Sequence, residues 1–176
     1  MAEPTPTPVP ASPAAATGLT GFVITCECGT VRLRTPSTTP MGIAHCHCTN
    51  CRHQSGSAFG TSVYFPPTPG FYPLDPSLLE EQGGPVSHFS HPTDSGNTLH
   101  CFFCRRCGSR LIHGATLPDG SLRERVSVKG GAIEDPDKLL DWAHAKHVFV
   151  RSAVMPLSPT WETYETTPTW PPKETK

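Results

Sequence analysis

Short apolar runs are spread along the middle of the chain, and each is only a few residues long. The run from Val31 to Arg34 alternates apolar and basic residues, the period of two that is typical of a half-buried strand. Gly29 just before it permits a tight connection to the preceding run. Runs of this kind predict strands over residues 22–25, 31–34, 62–65, 98–103, 110–115, 126–129 and 147–151. The chain is therefore expected to be mainly β.

Helix signals are few and short. Asp135 followed by Pro136 is typical of a helix start, with a capping residue before a proline at the first helical position, and predicts a helix over 135–142. Seven prolines lie from Pro66 to Pro92, and this stretch is interpreted as a long loop with a short helix over 76–82. The 21 prolines and 15 glycines of the whole chain also favour short strands and turns.

Composition divides the chain into a domain and two tails. Residues 1–18 are rich in Ala, Pro and Thr and lack the basic start and apolar run of a signal peptide, so they are expected to form a disordered tail. Residues 158–176 resemble them and are predicted to be an extended tail. The folded zinc-binding domain is predicted over 19–157. Three aromatic side chains of the second tail are candidates for docking on it, namely Trp161, Tyr164 and Trp170.

Charge and hydropathy exclude several partners. Lys and Arg number 14 against 15 Asp and Glu, so no strong field is expected to attract nucleic acid or anionic lipid. No stretch approaches the ~18 consecutive apolar residues that span a bilayer. Without a secretory signal, the expected location is the cytoplasm. In that reducing environment clustered thiols are expected to be metal ligands rather than disulfides.

The eight cysteines fall into three groups, and the first and third supply a four-ligand site. Cys26 and Cys28 are two residues apart, so in an extended segment both side chains point to the same side. Cys104 and Cys107 form a Cys-x-x-Cys turn, and Gly108 permits the bend that aims backbone amides at the thiolates. Together these two pairs predict a closed, tetrahedral structural zinc site.

The middle group offers three thiolates within six residues. Cys46, Cys48 and Cys51 are spaced closely enough to bind one ion from a single loop, and no fourth ligand is obvious. Three protein ligands with one free position are typical of a catalytic zinc.

Other residues could close the middle site. Cys101 is one candidate, although its simplest interpretation is a buried thiol packed like a small apolar side chain. His45, His47 and His53 are the others. If residues 45–48 are extended, His45 and His47 face away from the neighbouring cysteines, which argues against them.

Three motifs in order carry a family resemblance. They are Cys-x-Cys-Gly at 26–29, His-Cys-x-Cys-x-x-Cys-Arg-x-x-Ser-Gly at 45–56 and Phe-Cys-x-x-Cys-Gly-Ser-x-Leu at 103–111. The chain resembles the glutathione-dependent formaldehyde-activating enzyme family, which also includes centromere protein V. The resemblance spans about 21–157. Residues 66–92 depart from the family pattern at what would be a wall of the pocket.

The resemblance implies a fold and an activity. The fold would be a β-tent of small antiparallel sheets organised around two zinc sites. The structural zinc would be held by the first and third groups and the catalytic zinc by the middle group, as the spacing also suggests. The reaction would join glutathione and formaldehyde as S-hydroxymethylglutathione, a carbon–sulfur lyase reaction in reverse. Glutathione or its adduct would be the small-molecule partner, and a homodimer is an open alternative to a monomer.

Residues after the third ligand are candidates for the substrate site. Arginine pairs with carboxylates in a bidentate way, so Arg52 could meet a peptide-like thiol or simply brace the zinc loop. Proton transfer is assigned to His47 and His53 from proximity alone, and Arg52 joins them as a candidate catalytic residue. The candidates for contacting glutathione are Arg52, Gln54, Ser55 and Ser57.

Two other functions remain open at this stage. An enzyme of the same fold could catalyse elimination, hydration or isomerisation of another small electrophile. A non-catalytic, zinc-stabilised interaction module is the third interpretation, against which the even charge of the chain argues.

Overall fold

The structure, a computed structural model, describes residues 19–168, so the predicted tail over 1–18 and Trp170 lie outside the described residues. Within 19–168 the strands form a two-stranded sheet, β1-β2, and an eight-stranded sheet in the order β10-β9-β3-β4-β8-β7-β6-β5. The prediction of a mainly β protein is confirmed. None of the helices in this range is long and apolar enough to cross a membrane.

The elements are short, as the proline and glycine content predicts. The strands are β1 (Val23–Thr25), β2 (Arg32–Arg34), β3 (Gly42–Cys46), β4 (Gly60–Phe65), β5 (Val86–Pro92), β6 (Thr98–Cys104), β7 (Arg110–Thr116), β8 (Val126–Lys129), β9 (Lys146–Val148) and β10 (Thr163–Tyr164). The α-helices are α1 (Thr49–Ser55) and α2 (Pro136–Leu139). Single 3₁₀ turns occupy Pro76–Leu78, Glu80–Gln82, Gly130–Ala132, Trp142–His144 and Val150–Ser152.

Three strands lie where the sequence pattern predicts none. The stretch interpreted as a loop from 66 to 92 ends in β5, which pairs with β6 along seven residues. Pro85 precedes this strand and Pro92 is its last residue, and proline is tolerated there because β5 is the edge of the sheet. β3 and β10 also lack an alternating pattern, since β3 is buried on both faces over part of its length and β10 has only two residues.

Pairing in the large sheet is antiparallel except at one end. β9 runs parallel to β3, and β10 runs parallel to β9. These two parallel pairs depart from the antiparallel pairing that the resemblance implies. β9 reaches β3 only after β4 to β8 and α2 have intervened, and a long connection of this kind allows a parallel pair. Trp161, from the predicted C-terminal tail, stacks on His147 of β9 with ring centroids 4.2 Å apart.

The two faces of the large sheet have different chemistry. Directly paired residues share a face, so Val63, Val128, Ile112 and Phe102 form one continuous apolar row across four strands. This row is buried in the main core, together with Ile24 of the small sheet. Hydrophobic burial of this face holds the two sheets together.

Polar side chains occupy the opposite face. The paired residues Cys101, His113 and Ser127 lie side by side across β6, β7 and β8. Lys129 is two residues beyond Ser127 and pairs with Ser62 of β4. Cys46 of β3 lies on this same face, so the register brings residues from distant parts of the chain to one surface.

Candidate metal sites and the adjoining cleft

The first and third cysteine groups come together as predicted. The sulfur atoms of Cys26, Cys28, Cys104 and Cys107 all lie within 4.8 Å of one another. The Cys26–Cys28 sulfur distance is 3.5 Å and the Cys28–Cys104 distance is 3.7 Å. A tetrahedral zinc with Zn–S bonds of about 2.3 Å places its sulfurs about 3.8 Å apart. The four thiols therefore fit a zinc ion, and all eight cysteines are free rather than disulfide-bonded.

Backbone and hydroxyl groups support this set of thiols. The amide of Val31 donates to Cys26 Sγ at 3.2 Å. A hydrogen bond with Thr30 lowers the pKa of the Cys28 thiol, which favours the thiolate that binds metal. Gly108 has φ +76° and its amide donates to the Cys104 carbonyl, so the predicted bend is confirmed.

The four-thiol site joins two parts of the fold. Cys26 and Cys28 belong to the β1–β2 connection, whereas Cys104 ends β6 and Cys107 lies in the β6–β7 connection. Cys26 and Cys104 are buried, so the set is largely closed to solvent. These features fit a structural metal site that ties the small sheet to the large one.

The middle group gathers at the start of α1. Cys46 ends β3, Cys48 is the N-cap of α1, and Cys51 lies on the helix; their sulfur atoms are within 4.8 Å of one another. The Cys51 amide donates to Cys48 Sγ at 3.4 Å, as an N-cap side chain requires. Gly60 of β4 packs closely beside them, since a Cβ there would lie 3.2 Å from Cys51 Cβ.

The electrostatics of the middle group call for a cation. Hydrogen bonds from Cys46 and Cys51 lower the pKa of Cys48 to about 2, and the same proton sharing with Cys48 raises the pKa of Cys46. Three adjacent thiols cannot all ionise without a compensating charge. Burial lowers the pKa of Lys129, while the nearby thiolates of Cys51 and Cys46 oppose that shift. The donor set therefore fits a metal ion, and soft thiolates are consistent with zinc.

No fourth metal-binding side chain joins these three thiols within residues 19–168. Cys101 is directed to His113 instead, with Sγ 3.8 Å from Nδ1. The Nδ1 atom of His45 lies 3.0 Å from Thr61 Oγ1. His47 is fully buried, and its Nε2 is 3.0 Å from Nδ1 of His147.

A cleft of about 360 Å³ lies beside α1, the helix that carries Cys51, and none of the three middle thiols is among the residues that line it. It lies between α1 and the outer strands of the large sheet. Its walls are formed by Asn50, His53, Gln54, Phe89, His91, Cys101 and Arg110. Cavities of this size accept small organic ligands, so the cleft is the candidate substrate site.

The predicted substrate residues are divided between the cleft and other places. His53 and Gln54 line it. Arg52 is half-buried and donates from Nη2 to Thr49 Oγ1 at 3.4 Å, which fits bracing of the helix. Ser55 donates to the Cys51 carbonyl at 2.7 Å. Ser57 is exposed, and neither serine is among the residues that line the cleft.

Sequence reasoning missed the sheet side of the cleft. Phe89 and His91 come from β5, inside the stretch interpreted as a loop, and Arg110 begins β7. No motif marks these residues. Only the register of β5, β6 and β7 brings them opposite α1, although the histidines and prolines of 66–92 indicated a modified pocket wall.

Comparison with known proteins identifies the family. The family model described as glutathione-dependent formaldehyde-activating enzyme matches residues 22–152, most of the chain. No curated protein matches the chain. The matched range contains both groups of thiols and every residue that lines the cleft. The chain therefore belongs to the glutathione-dependent formaldehyde-activating enzyme family.

Proposed function

We propose that this member of the family is a zinc-dependent enzyme that joins glutathione to formaldehyde, giving S-hydroxymethylglutathione, and that can also run the carbon–sulfur cleavage in reverse. The observation that carries the proposal is the three-thiol group at the start of α1, which lacks a fourth ligand among residues 19–168. The same helix forms one wall of the cleft. The family supplies the expected substrates.

The chemical step needs only a thiolate, a carbonyl carbon and a proton. The glutathione sulfur attacks the carbon of formaldehyde, a C–S bond forms, and the C=O π electrons move to the oxygen. The oxygen then takes up a proton equivalent to the one that the thiol lost. A zinc ion bound by Cys46, Cys48 and Cys51 would lower the pKa of the substrate thiol so that it is ionised near neutral pH.

The residues of the cleft would bind the peptide and move the proton. His53 lines the cleft, so we assign it the proton transfer. His47 is less suited, because it is fully buried and paired with His147, and we assign it to supporting the β3 end of the metal loop. Arg52 is proposed to brace α1 through Thr49, while Gln54 faces the substrate.

The ligand type favours thiol activation over hydrolysis. Three anionic thiolates donate more charge than three histidines, so a zinc ion they hold is a weaker electrophile and a poorer generator of hydroxide. Binding a fourth thiolate from the substrate suits such a site.

A second candidate function keeps the chemistry and changes the substrate. Phe89 and His91 come from the 66–92 stretch, which departs from the family pattern, and both line the cleft. A remodelled wall of this kind would suit another small electrophile in elimination, hydration or isomerisation.

The decisive test is the reaction itself. Glutathione and formaldehyde are mixed with the zinc-loaded protein, and the adduct is followed by NMR against the spontaneous reaction. We expect acceleration by the wild type and none by Cys48→Ala. The control is the zinc content and circular dichroism of Cys48→Ala, which should show the four-thiol site filled and the fold intact. A wild-type rate equal to the spontaneous rate would overturn the formaldehyde assignment.

A further inference from the structure

Cys46, the first of the middle thiols, is close to one end of the large sheet. Beyond β3 on that side the described chain adds two strands, β9 with three residues and β10 with two. Strands this short make few hydrogen bonds, and segments with few contacts open locally more easily than the rest of a fold. Whatever holds β9 in place therefore also determines how firmly Cys46 is held.

Residues 158–167, which we call the C-terminal cover, hold β9 by backbone hydrogen bonds. The amide of His147 donates to the carbonyl of Glu162 at 2.8 Å. The amide of Phe149, directly after β9, donates to the carbonyl of Thr166 at 2.8 Å. The cover therefore occupies the side of β9 that faces away from β3, and β9 is not left as an open edge.

Tyr164 of the cover lies in one row with Cys46 across three strands. Tyr164 pairs with Val148, and Val148 pairs with Cys46. Paired residues of neighbouring strands share a face, so the tyrosine is on the same side of the sheet as the thiol. Its ring packs against the small buried cluster of Cys46 and Val148, where Cys48 and Cys51 also pack. The cover thus contributes directly to the packing around the middle thiols.

Trp161 reaches the same loop through two histidines. Its ring stacks on His147, with centroids 4.2 Å apart and planes tilted by 7°. Nδ1 of His147 is in turn 3.0 Å from Nε2 of His47, a hydrogen-bond distance. His47 stands between Cys46 and Cys48 in the chain. Trp161 can therefore restrain the segment that carries both thiols.

We propose that the C-terminal cover holds Cys46 in the position that metal binding requires, with Trp161 and Tyr164 as its positioning residues. The family model matches residues 22–152, so the cover follows the matched range and the family assignment does not account for it. The inference rests on the proposed function in one respect, because it takes the middle group to be a zinc site. Residues that orient metal ligands change metal affinity by about 10- to 100-fold when they are replaced.

Zinc affinity is measured on the full chain by competition with a chelator under reducing conditions. Trp161→Ala and Tyr164→Ala should each weaken zinc binding at the middle thiols about tenfold and leave the four-thiol site unchanged. Trp161→Phe and Tyr164→Phe keep an aromatic ring and should restore most of the affinity. Leu122→Ala is the matched control and should change neither site. Its side chain is 39% exposed, against 40% for Trp161, and it is not part of the cluster around Cys46.

Amide hydrogen exchange of the zinc-loaded proteins gives a second measurement that does not depend on activity. Both alanine variants should exchange faster over residues 43–48, and exchange over 98–104 should stay as in the wild type. If Tyr164→Ala does not fold, Trp161→Ala carries the test, because it changes a partly exposed side chain.

Three results would overturn the role of the cover. They are unchanged zinc affinity at the middle thiols in the alanine variants, equal weakening at both thiol sites, and equal losses in the alanine and phenylalanine variants. A wild type that binds zinc at the four-thiol site alone overturns the proposed function instead. Hydrogen exchange then decides the cover by itself, since unchanged exchange over 43–48 would show that the cover does not hold β3.

Discussion

The Sγ atom of Cys101 lies 3.8 Å from Nδ1 of His113, and both residues are buried on the sheet face that forms the floor of the cleft. The two residues are direct partners across β6 and β7, so the register holds them together. Cys101 is thus oriented by His113 and stands apart from both thiol groups. Burial raises the pKa of its thiol.

Metal content should therefore be independent of Cys101. We expect Cys101→Ala to bind as many zinc ions per chain as the wild type. Cys48→Ala should lose one ion per chain, because two thiols hold zinc much less tightly than three. Elemental analysis after gel filtration measures both. A loss of metal in Cys101→Ala would show that Cys101 does reach the middle site.

Stability should depend on the two thiol groups very differently. Cys104 is fully buried and links the small sheet to the large one, so Cys104→Ala should lower the free energy of unfolding by about 4 kcal/mol or more, as loss of a structural metal does. With the middle site emptied of zinc in both proteins, Cys48→Ala should cost about 1 kcal/mol, the usual effect of removing an N-cap. Urea unfolding compares them. Equal losses would contradict the assignment of separate structural and catalytic roles.

The absence of a side chain at Gly60 should affect how tightly the middle thiols bind zinc, for steric reasons only. A Cβ at this position would lie 3.2 Å from Cys51 Cβ, so in Gly60→Ala Cys51 must shift by a few tenths of an ångström. We expect weaker zinc binding at the middle thiols, measured by competition with a chelator, and little change at the four-thiol site. Gly131→Ala is the matched control, since nothing lies within 4 Å of its added Cβ. Similar zinc affinities in both variants would refute the steric argument.

Acid should destabilise the protein partly through His113. Burial, with Lys129 and Arg110 adding to it, holds the pKa of His113 well below its ordinary value of 6.5. Below pH 6.5 the unfolded chain therefore binds more protons at this histidine than the folded chain does. As a result, burial of neutral His113 does not lower the free energy of unfolding above pH 6.5, and lowers it progressively as the pH falls below that value.

His113→Gln isolates this effect. The slope of wild-type unfolding free energy against pH should exceed that of the variant by about 0.7 kcal/mol per pH unit at pH 6.5, and the excess should approach about 1.4 kcal/mol per pH unit one unit lower. Urea titrations at several pH values between 5 and 8 provide the measurement, and acid release of metal affects both proteins alike. Parallel slopes would mean that His113 is protonated equally in the folded and unfolded states.

The spacing of the cysteines along the chain was sufficient to predict which thiols come together, but no local spacing predicted the cleft. The two-residue and three-residue intervals place each pair of cysteines on one side of a turn, whatever the rest of the fold does, and the four-thiol set forms as expected. His45 and His47 are absent from the middle group within the described chain, which agrees with the alternation expected for an extended segment. α1 was not expected, because its seven residues follow the cysteines too closely to show a helical pattern.

The sequence by itself determined the mainly β character, the pairing of the cysteine groups and the family, because these depend on residue types at short, regular intervals. Only the tertiary structure decided what faces the middle thiols. The register of β5 to β8 brings Phe89, Cys101, Arg110 and Lys129 to one face, and that register follows from burying the opposite, apolar face of the sheet. Contacts between residues so far apart in the chain leave no local pattern, so Cys101 and Arg110 acquire their neighbours only when the sheet forms.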